Sequence, residues 1–287
     1  MVEKDKKINI AFNGFGRIGR NLVRKLVKDT KYNIVAINAR TTTSVRAHLF
    51  KYDSIHGHFD GTIETELDNL IINDQTIPNF DRSTPAKLPW GELDVDYVID
   101  STGKFNDKHS LSQHIEAGAK NVIVTAPAAD VDATLIYGVN ETDYKIQENN
   151  IVSASSCTTT CLTPILKVLQ KQYGIKHGYI TTVHSFTMGQ TLLDSSHPDL
   201  RRARAATMSM IPTTTGAAKN VGVVLPELEG KLDGSSIRVP VPDVSLLDMS
   251  IELQTDTDID DIHSVFEKEG KGKMKGIIDV SCEPLVS

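Results

Sequence analysis

The run Ile8-Asn9-Ile10-Ala11-Phe12-Asn13-Gly14-Phe15-Gly16-Arg17-Ile18-Gly19-Arg20-Asn21-Leu22-Val23-Arg24-Lys25-Leu26-Val27-Lys28 changes its hydrophobic rhythm in the middle. Ile8 to Asn13 reads as a buried strand. Ile18 to Lys28 reads as an amphipathic helix, with Ile18, Leu22, Val23, Leu26 and Val27 on one side. Between them lies G-x-G-x-x-G, formed by Gly14, Gly16 and Gly19. The pattern gains meaning from a strand before it and a helix after it. The first glycine permits a tight turn, the second lets backbone approach a pyrophosphate, and the third lets helix and strand pack closely. The helix N-terminus then offers free N–H groups and partial positive charge to phosphates.

The same alternation continues outward. Asn33 to Asn38, Asp96 to Asp100 and Asn121 to Thr125 read as further strands, and His109 to Ala117 as a helix stopped by Gly118. This rhythm predicts a parallel sheet flanked by helices. Gly57 to Trp90 alternates polar and apolar residues and is broken by Gly, Pro and Asn. It reads as antiparallel strands inserted in the α/β domain. Beyond Cys157 a helix is expected over Thr158 to Tyr173, then strands near Tyr179 to Phe186, Ser235 to Val239 and Ser245 to Leu253. The polar stretch Thr187 to Thr215 is long enough to carry function or subunit contacts. The fold class is therefore α/β, with a Rossmann-type NAD(P)-binding domain over 1–156 and an α+β catalytic domain with a mostly antiparallel sheet over 157–287.

Composition narrows the function classes. The 287 residues carry a net charge of -6 with no long basic run, which argues against nucleic acid as the main partner. The polar start Met1 to Lys7 and the absence of a long apolar run point to a cytoplasmic protein and no membrane partner. The three cysteines, Cys157, Cys161 and Cys282, are too few for a disulfide framework, and their spacing suggests no metal site.

The end of the second strand bears on cofactor choice. An NAD-preferring site usually places an acid there, about twenty residues past the glycine loop, to bind the ribose hydroxyls. Here the position is Ala39, followed by Arg40 and the hydroxyl run Thr41-Thr42-Thr43-Ser44, and no carboxylate occurs between Ile34 and Asp53. An acid would repel a 2′-phosphate, whereas an arginine attracts one. NADP is expected to be accepted and preferred, with NAD as the alternative if Arg40 points into solvent.

Cys157 stands at a loop-to-helix junction, where a helix dipole lowers a thiol pKa. Cys161, one turn on, reads as a buried and inert thiol. Ser155-Ser156-Cys157-Thr158-Thr159-Thr160-Cys161-Leu162-Thr163-Pro164, Thr181-Thr182-Val183-His184-Ser185-Phe186-Thr187, Asp199-Leu200-Arg201-Arg202-Ala203-Arg204-Ala205-Ala206, Ile211 to Lys219 and Ile237-Arg238-Val239-Pro240 follow in order. Together with Asn13 to Arg20 and Lys51-Tyr52-Asp53-Ser54, they resemble the phosphorylating glyceraldehyde-3-phosphate dehydrogenases over essentially the whole chain.

The resemblance implies oxidation of a phosphorylated aldehyde with inorganic phosphate through a cysteine thioester. It implies Cys157 as nucleophile and His184 as base. Thr187 and Arg238 would hold the substrate phosphate, and Ser156, Thr158, Thr215, Gly216 and Arg202 the attacking one. Arg17 and Ile18 match pyrophosphate contacts, and Arg82, Thr102, Gly103 and Thr125 fall where the family lines adenine and ribose. A homo-oligomer, typically a tetramer, is implied, built partly by the 187–215 loop. Two other readings stay open. Erythrose-4-phosphate dehydrogenase shares Cys157 and His184, although the Pro212 to Lys219 segment favours an acyl-phosphate product. A non-catalytic redox-sensing homologue would use Cys157 alone.

The sequence departs from the family in two further places. Met188-Gly189-Gln190 stands where Asn-Asp-Gln is common. The chain also ends at Ser287, ahead of a strand, a Trp-Tyr-Asp-Asn-Glu segment and a long helix that the family carries. The 287 residues alone are expected to be less stable and less active than that full architecture.

Overall fold

A computed structural model describes residues 6–286. The polar start before Lys6 lies outside them. The chain forms two compact units, one of Met1–Leu135 with Asp143–Ser155 and the other of Ile136–Thr142 with Ser156–Ser287.

The first unit follows the predicted rhythm. In chain order it contains β1 (Ile8–Asn13), α1 (Arg17–Leu26), β2 (Tyr32–Asn38), α2 (Thr43–Lys51), β3 (Tyr52–Asp53), β4 (Gly57–His58), β5 (Ile63–Glu66), β6 (Asn69–Ile72), β7 (Gln75–Phe80), β8 (Tyr97–Asp100), α3 (Lys108–Glu116), β9 (Asn121–Val124), β10 (Ala133–Thr134) and β11 (Ile151–Ser153). One sheet runs in the order β10-β11-β9-β8-β1-β2-β7-β6-β5. From β10 to β7 every pairing is parallel. Successive residues of β1 face opposite sides, as strand geometry requires. Ile10 and Phe12 join Val23 of α1 and Phe50 of α2 in one cluster. Ala11 joins Trp90, Val98 and Ala119 in another. A sheet covered on both faces calls for such continuous apolar strands.

The Gly57 to Trp90 segment differs from its expected form. Its strands β5, β6 and β7 are antiparallel to one another. However, β7 also pairs in parallel with β2, Ile37 against Asn79 and Asn38 against Phe80, so the insertion extends the main sheet. The helix α2 is unexpected; only its first residues, in the hydroxyl run Thr41 to Ser44, are read from the sequence, as neighbours of the cofactor. Its start is capped by Thr42, whose Oγ1 accepts from Val45 N at 3.4 Å.

The second unit contains α4 (Cys157–Tyr173), β12 (Ile175–Ser185), β13 (Ile211–Thr213), α5 (Ala217–Val224), β14 (Leu232–Val239), β15 (Ser245–Leu253) and α6 (Ile259–Lys271). The sheet order is β13-β14-β12-β15. It is mostly antiparallel, but its central pair β12–β14 is parallel. Leu247, Met249, Ile251 and Leu253 share one face of β15 and pack with Leu162 and Leu166 of α4, Val221 of α5 and Phe266 of α6. The helices thus cover that face. Among the described residues no helix is long and apolar enough to cross a membrane.

Candidate active site

In the first unit the glycine loop is shaped by close backbone packing. Gly14 has φ 102°, and a Cβ there would lie 2.7 Å from the Ser101 carbonyl carbon. A Cβ on Gly19 would lie 2.5 Å from the Gly14 oxygen, so only glycine lets α1 approach the turn. A Cβ on Gly16 would meet nothing within 4 Å. Gly16 is also the N-cap of α1 and supplies no side-chain cap. The helix therefore presents N–H groups to an open space beside bare backbone, which suits a pyrophosphate. A cleft of 510 Å³ opens there, lined by Gly14, Gly16, Asn38, Ala39, Arg40, Thr41, Arg82 and Thr102 among others. These residues fit a dinucleotide.

The other predicted cofactor residues are placed differently. Arg17 forms an ion pair with Asp53, which also accepts from the backbone N–H of Ile55 and His56. Against the pull of burial, these bonds hold the Asp53 carboxyl well below the usual carboxylate range. Ile18 is exposed, and Gly103 has φ 67°. Thr125 joins β9 to β8, with its N–H donating to the Asp100 oxygen at 2.9 Å. Arg40 pairs with Asp81 at 3.0 Å, both side chains being largely exposed. The sequence has no carboxylate near Ala39, yet the β2–β7 pairing brings one to its neighbour.

Sequence reasoning also missed two buried groups under this cleft. Arg46 is 3% exposed and donates to the carbonyl oxygens of Ala39, Thr41 and Phe80 at 2.5, 2.7 and 2.9 Å. It ties together the ends of β2 and β7 and the turn at Thr41 beside this cleft. Its burial, a rare state for arginine, depresses its pKa. Asp100 and His114 are both fully buried, with Nε2 3.3 Å from Oδ2. Asp100 Oδ2 also accepts from Asn13 Nδ2 at 2.7 Å, and Oδ1 from the Thr102 N–H at 3.0 Å. Asn13 in turn accepts from Asn38 Nδ2 at 2.7 Å.

The second unit gathers the predicted reactive groups. Cys157 is the first residue of α4. Ser156 caps that helix, its Oγ accepting from the Thr159 N–H at 3.1 Å. Ser155, just before the cap, is held at φ 60°, an uncommon conformation for a side-chain-bearing residue. Cys157 Sγ lies 3.3 Å from His184 Nε2 and 3.9 Å from Thr158 Oγ1. The hydrogen bond to His184 is the main cause that lowers the Cys157 thiol from 9.0 to about 7, against the opposing effect of burial. Cys161 is not buried as expected but exposed. Atoms packed around its sulfur, together with the Cys157 thiolate, push its thiol up. It is therefore the less reactive of the two.

Strand register supplies the cationic side. Parallel pairing sets His184 of β12 beside Arg238 of β14, and antiparallel pairing sets Thr213 beside Ser236. Arg238 Nη1 lies 2.7 Å from His184 Nδ1 and donates to the Ser185 oxygen at 3.0 Å. Arg202 donates to Thr213 Oγ1 from Nε at 2.9 Å and Nη2 at 2.7 Å. The hydrogen-bond network thus joins Cys157, His184 and Arg238. Other predicted phosphate contacts are engaged in local turns. Thr215 Oγ1 accepts from the Ala217 N–H at 3.2 Å beside Gly216, the N-cap of α5. Thr187 is exposed, and its N–H donates to Gln190 Oε1 at 3.2 Å. Among the described residues no group of three or more His, Cys, Asp or Glu is placed to hold a metal ion.

An NAD(P)-dependent oxidoreductase is the class these two units define. Residues 8–108 match the family described as glyceraldehyde 3-phosphate dehydrogenase, NAD binding domain, and residues 156–287 match its C-terminal domain. The chain is 48% identical to glyceraldehyde-3-phosphate dehydrogenase 2 of Bacillus subtilis, over 98% of this chain and 83% of that protein. It is 48% identical to glyceraldehyde-3-phosphate dehydrogenase of Priestia megaterium, over 98% of this chain and 84% of that one. The corresponding enzyme of Geobacillus stearothermophilus is 46% identical with the same coverage. The chain belongs to the glyceraldehyde-3-phosphate dehydrogenase family.

Proposed function

We propose that the protein oxidises glyceraldehyde 3-phosphate to an acyl phosphate, with residues 1–156 binding the dinucleotide and 157–287 carrying the chemistry. The observation that carries this reading is the 3.3 Å approach of Cys157 Sγ to His184 Nε2 at the start of a helix. With its thiol lowered to about 7, Cys157 is substantially ionised at neutral pH. Its thiolate adds to the aldehyde carbon, and His184 Nε2 passes the proton it took from Cys157 to the resulting alkoxide, which leaves a hydroxyl beside it. His184 takes the hydroxyl proton as the carbonyl re-forms, now as a thioester on sulfur. NAD(P)+, when bound, supplies the acceptor for the hydride given up by that carbon.

Arg238 is suited to the phosphate of the aldehyde, and Arg202, with Ser156, Thr158, Thr215 and Gly216, to inorganic phosphate. Attack by a phosphate oxygen on the thioester carbon then expels the Cys157 thiolate and forms the acyl phosphate. The glycine loop and the N-terminus of α1 would hold the pyrophosphate, and Ala39, Arg40, Thr41 and Arg82 the adenosine ribose. Ala39 leaves room for a 2′-phosphate, which supports use of NADP, while Asp81 moderates that preference by pairing with Arg40. The exposed Met188, Leu192, Leu200, Met208 and Met210 on the 187–215 loop support a homo-oligomer.

Reduction of NAD and of NADP should be compared side by side with glyceraldehyde 3-phosphate, with and without inorganic phosphate. Phosphate-dependent reduction is expected, and Cys157→Ser should lower it by about 10³-fold or more. Undiminished turnover in that variant would refute the thioester reading. Reduction with NAD alone would refute the preference for NADP.

A further inference from the structure

Arg46 occupies a core-facing position of α2, one turn before the buried Phe50, yet it carries a charge. Its Nη2 donates to the carbonyl oxygens of Ala39, Thr41 and Phe80, and its Nη1 to Asn79 Oδ1 at 2.8 Å. Every one of these acceptors is neutral. The Nε–H is buried with no acceptor. Among the described residues no carboxylate forms an ion pair with it. Burial depresses its pKa, and Asp81 and Asp68 offset that only at longer range. An arginine stays protonated all the same, and a buried charge is normally paired. Ties to carbonyl oxygens do not by themselves explain a lone cation in the core.

This charge lies behind the stretch of chain that borders the cofactor cleft. Arg46 does not line that cleft, but Ala39 and Thr41, whose oxygens it holds, do. Arg40 lines the cleft and is paired with Asp81, so those two charges sum to zero. The charge of Arg46 has no such partner. Its field crosses protein to reach the cleft and is screened less than it would be in water. A ribose 2′-phosphate carries about 1.5 to 2 negative charges at neutral pH, and a 2′-hydroxyl none. We propose that Arg46 is a specificity-determining residue, a buried cation that favours the 2′-phosphate of NADP without touching it. This rests on the reading of the cleft beside Ala39 as the adenosine-ribose site.

The other charges nearby do not replace it. Arg82 and Lys104 line the cleft as well, but both are exposed and screened by water. Asp68, an exposed carboxylate in the adjoining hollow, offsets Arg46 only in part. The guanidinium of Arg46 is enclosed, and it is fixed by the pairing of β7 with β2, since Asn79 and Phe80 both belong to β7. A purely structural tie at this place would act on every adenine nucleotide alike. A buried charge acts on the 2′-phosphate.

The test is titration calorimetry of 2′,5′-ADP and of 5′-AMP on the full chain, because the ratio of the two affinities isolates the 2′-phosphate. Arg46→Gln keeps an amide donor for the carbonyl oxygens and removes the charge. It should weaken 2′,5′-ADP by about tenfold and leave 5′-AMP within about twofold of the parent. Arg46→Lys keeps the charge and gives up the planar fork, so the parental ratio should hold within about twofold even where the melting temperature falls. Arg40→Gln, at an exposed position, should keep part of the preference for 2′,5′-ADP. A ratio that survives Arg46→Gln overturns the inference, as does an equal loss for both nucleotides. So does a ratio that falls as far in Arg46→Lys as in Arg46→Gln, or a preference abolished by Arg40→Gln alone. Should Arg46→Gln fail to fold, the Arg46→Lys and Arg40→Gln measurements still decide. A parent protein that binds neither nucleotide would overturn the reading of the cleft itself, and this inference with it.

Discussion

His114 of the first unit and His184 of the second are both buried and both meet a donor-only group at Nδ1. Trp90 Nε1 donates to His114 Nδ1 at 2.9 Å, and Asp100 stands at Nε2. Trp90 and Asp100 ask for one proton on Nε2, while Asn13 Nδ2, a donor, also lies 3.3 Å from that nitrogen. Nδ1 of His184 likewise meets both an acceptor and a donor, the Ser185 oxygen and Arg238. What separates the two rings is the group at Nε2: a buried carboxylate for His114, which holds the ring in the structure, and the Cys157 thiol for His184, which can react. The comparison separates two histidines that burial alone would place in one group.

The largest effect expected from this contrast is on turnover. His184→Asn should reduce kcat by about 10³-fold, as loss of a general base does, while the melting temperature stays close to that of the parent. A melting temperature that falls with activity would place His184 with His114 and break the contrast. His114→Leu should do the reverse. It strands the Trp90 N–H away from water and leaves Asp100 Oδ2 with Asn13 as its remaining partner, at a cost of about 2 kcal/mol, while kcat per folded molecule is kept. Chemical denaturation with parallel rate measurements reads both, and a slow but fully stable His114→Leu protein would contradict the assignment.

The smallest expected effect concerns the cofactor cleft. Asp81→Asn removes an exposed partner of Arg40, and such pairs contribute about 0.5 kcal/mol. The affinity for 2′,5′-ADP relative to 5′-AMP should rise by about two- to threefold, as titration calorimetry would show. An unchanged ratio would mean that Arg40 does not reach the 2′-phosphate.

The readable parts of the sequence were those where one local run holds all the information. The strand, glycine loop and helix from Ile8 to Lys28 are contiguous, and each glycine meets a nearby constraint. Cys157 and His184 were likewise marked by short runs around them. What escaped were relations between distant segments. Asp81 reaches Arg40 only because β7 pairs with β2. Arg238 reaches His184 only through the parallel register of β12 and β14. Strand pairing is decided by which surfaces can be buried together, and no local pattern encodes it. The helix α2 was hidden for a related reason. Its hydroxyl-rich start resembles a loop until Thr42 is seen as a cap, and its buried Arg46 breaks the expected apolar face. The exposed Cys161 shows that one helical turn beyond a reactive residue need not lie in the core.

Trp90 is the only tryptophan of the chain, and its indole is fully buried against the His114 ring. Its emission therefore reports on the dinucleotide-binding unit and leaves the thiol-bearing unit without a tryptophan signal. An imidazole hydrogen-bonded to the indole N–H makes that signal sensitive to small shifts of the Asp100 network. The molecule thus carries a built-in fluorophore for half of itself. Fluorescence and circular dichroism melts that fail to coincide would reveal two units unfolding in sequence.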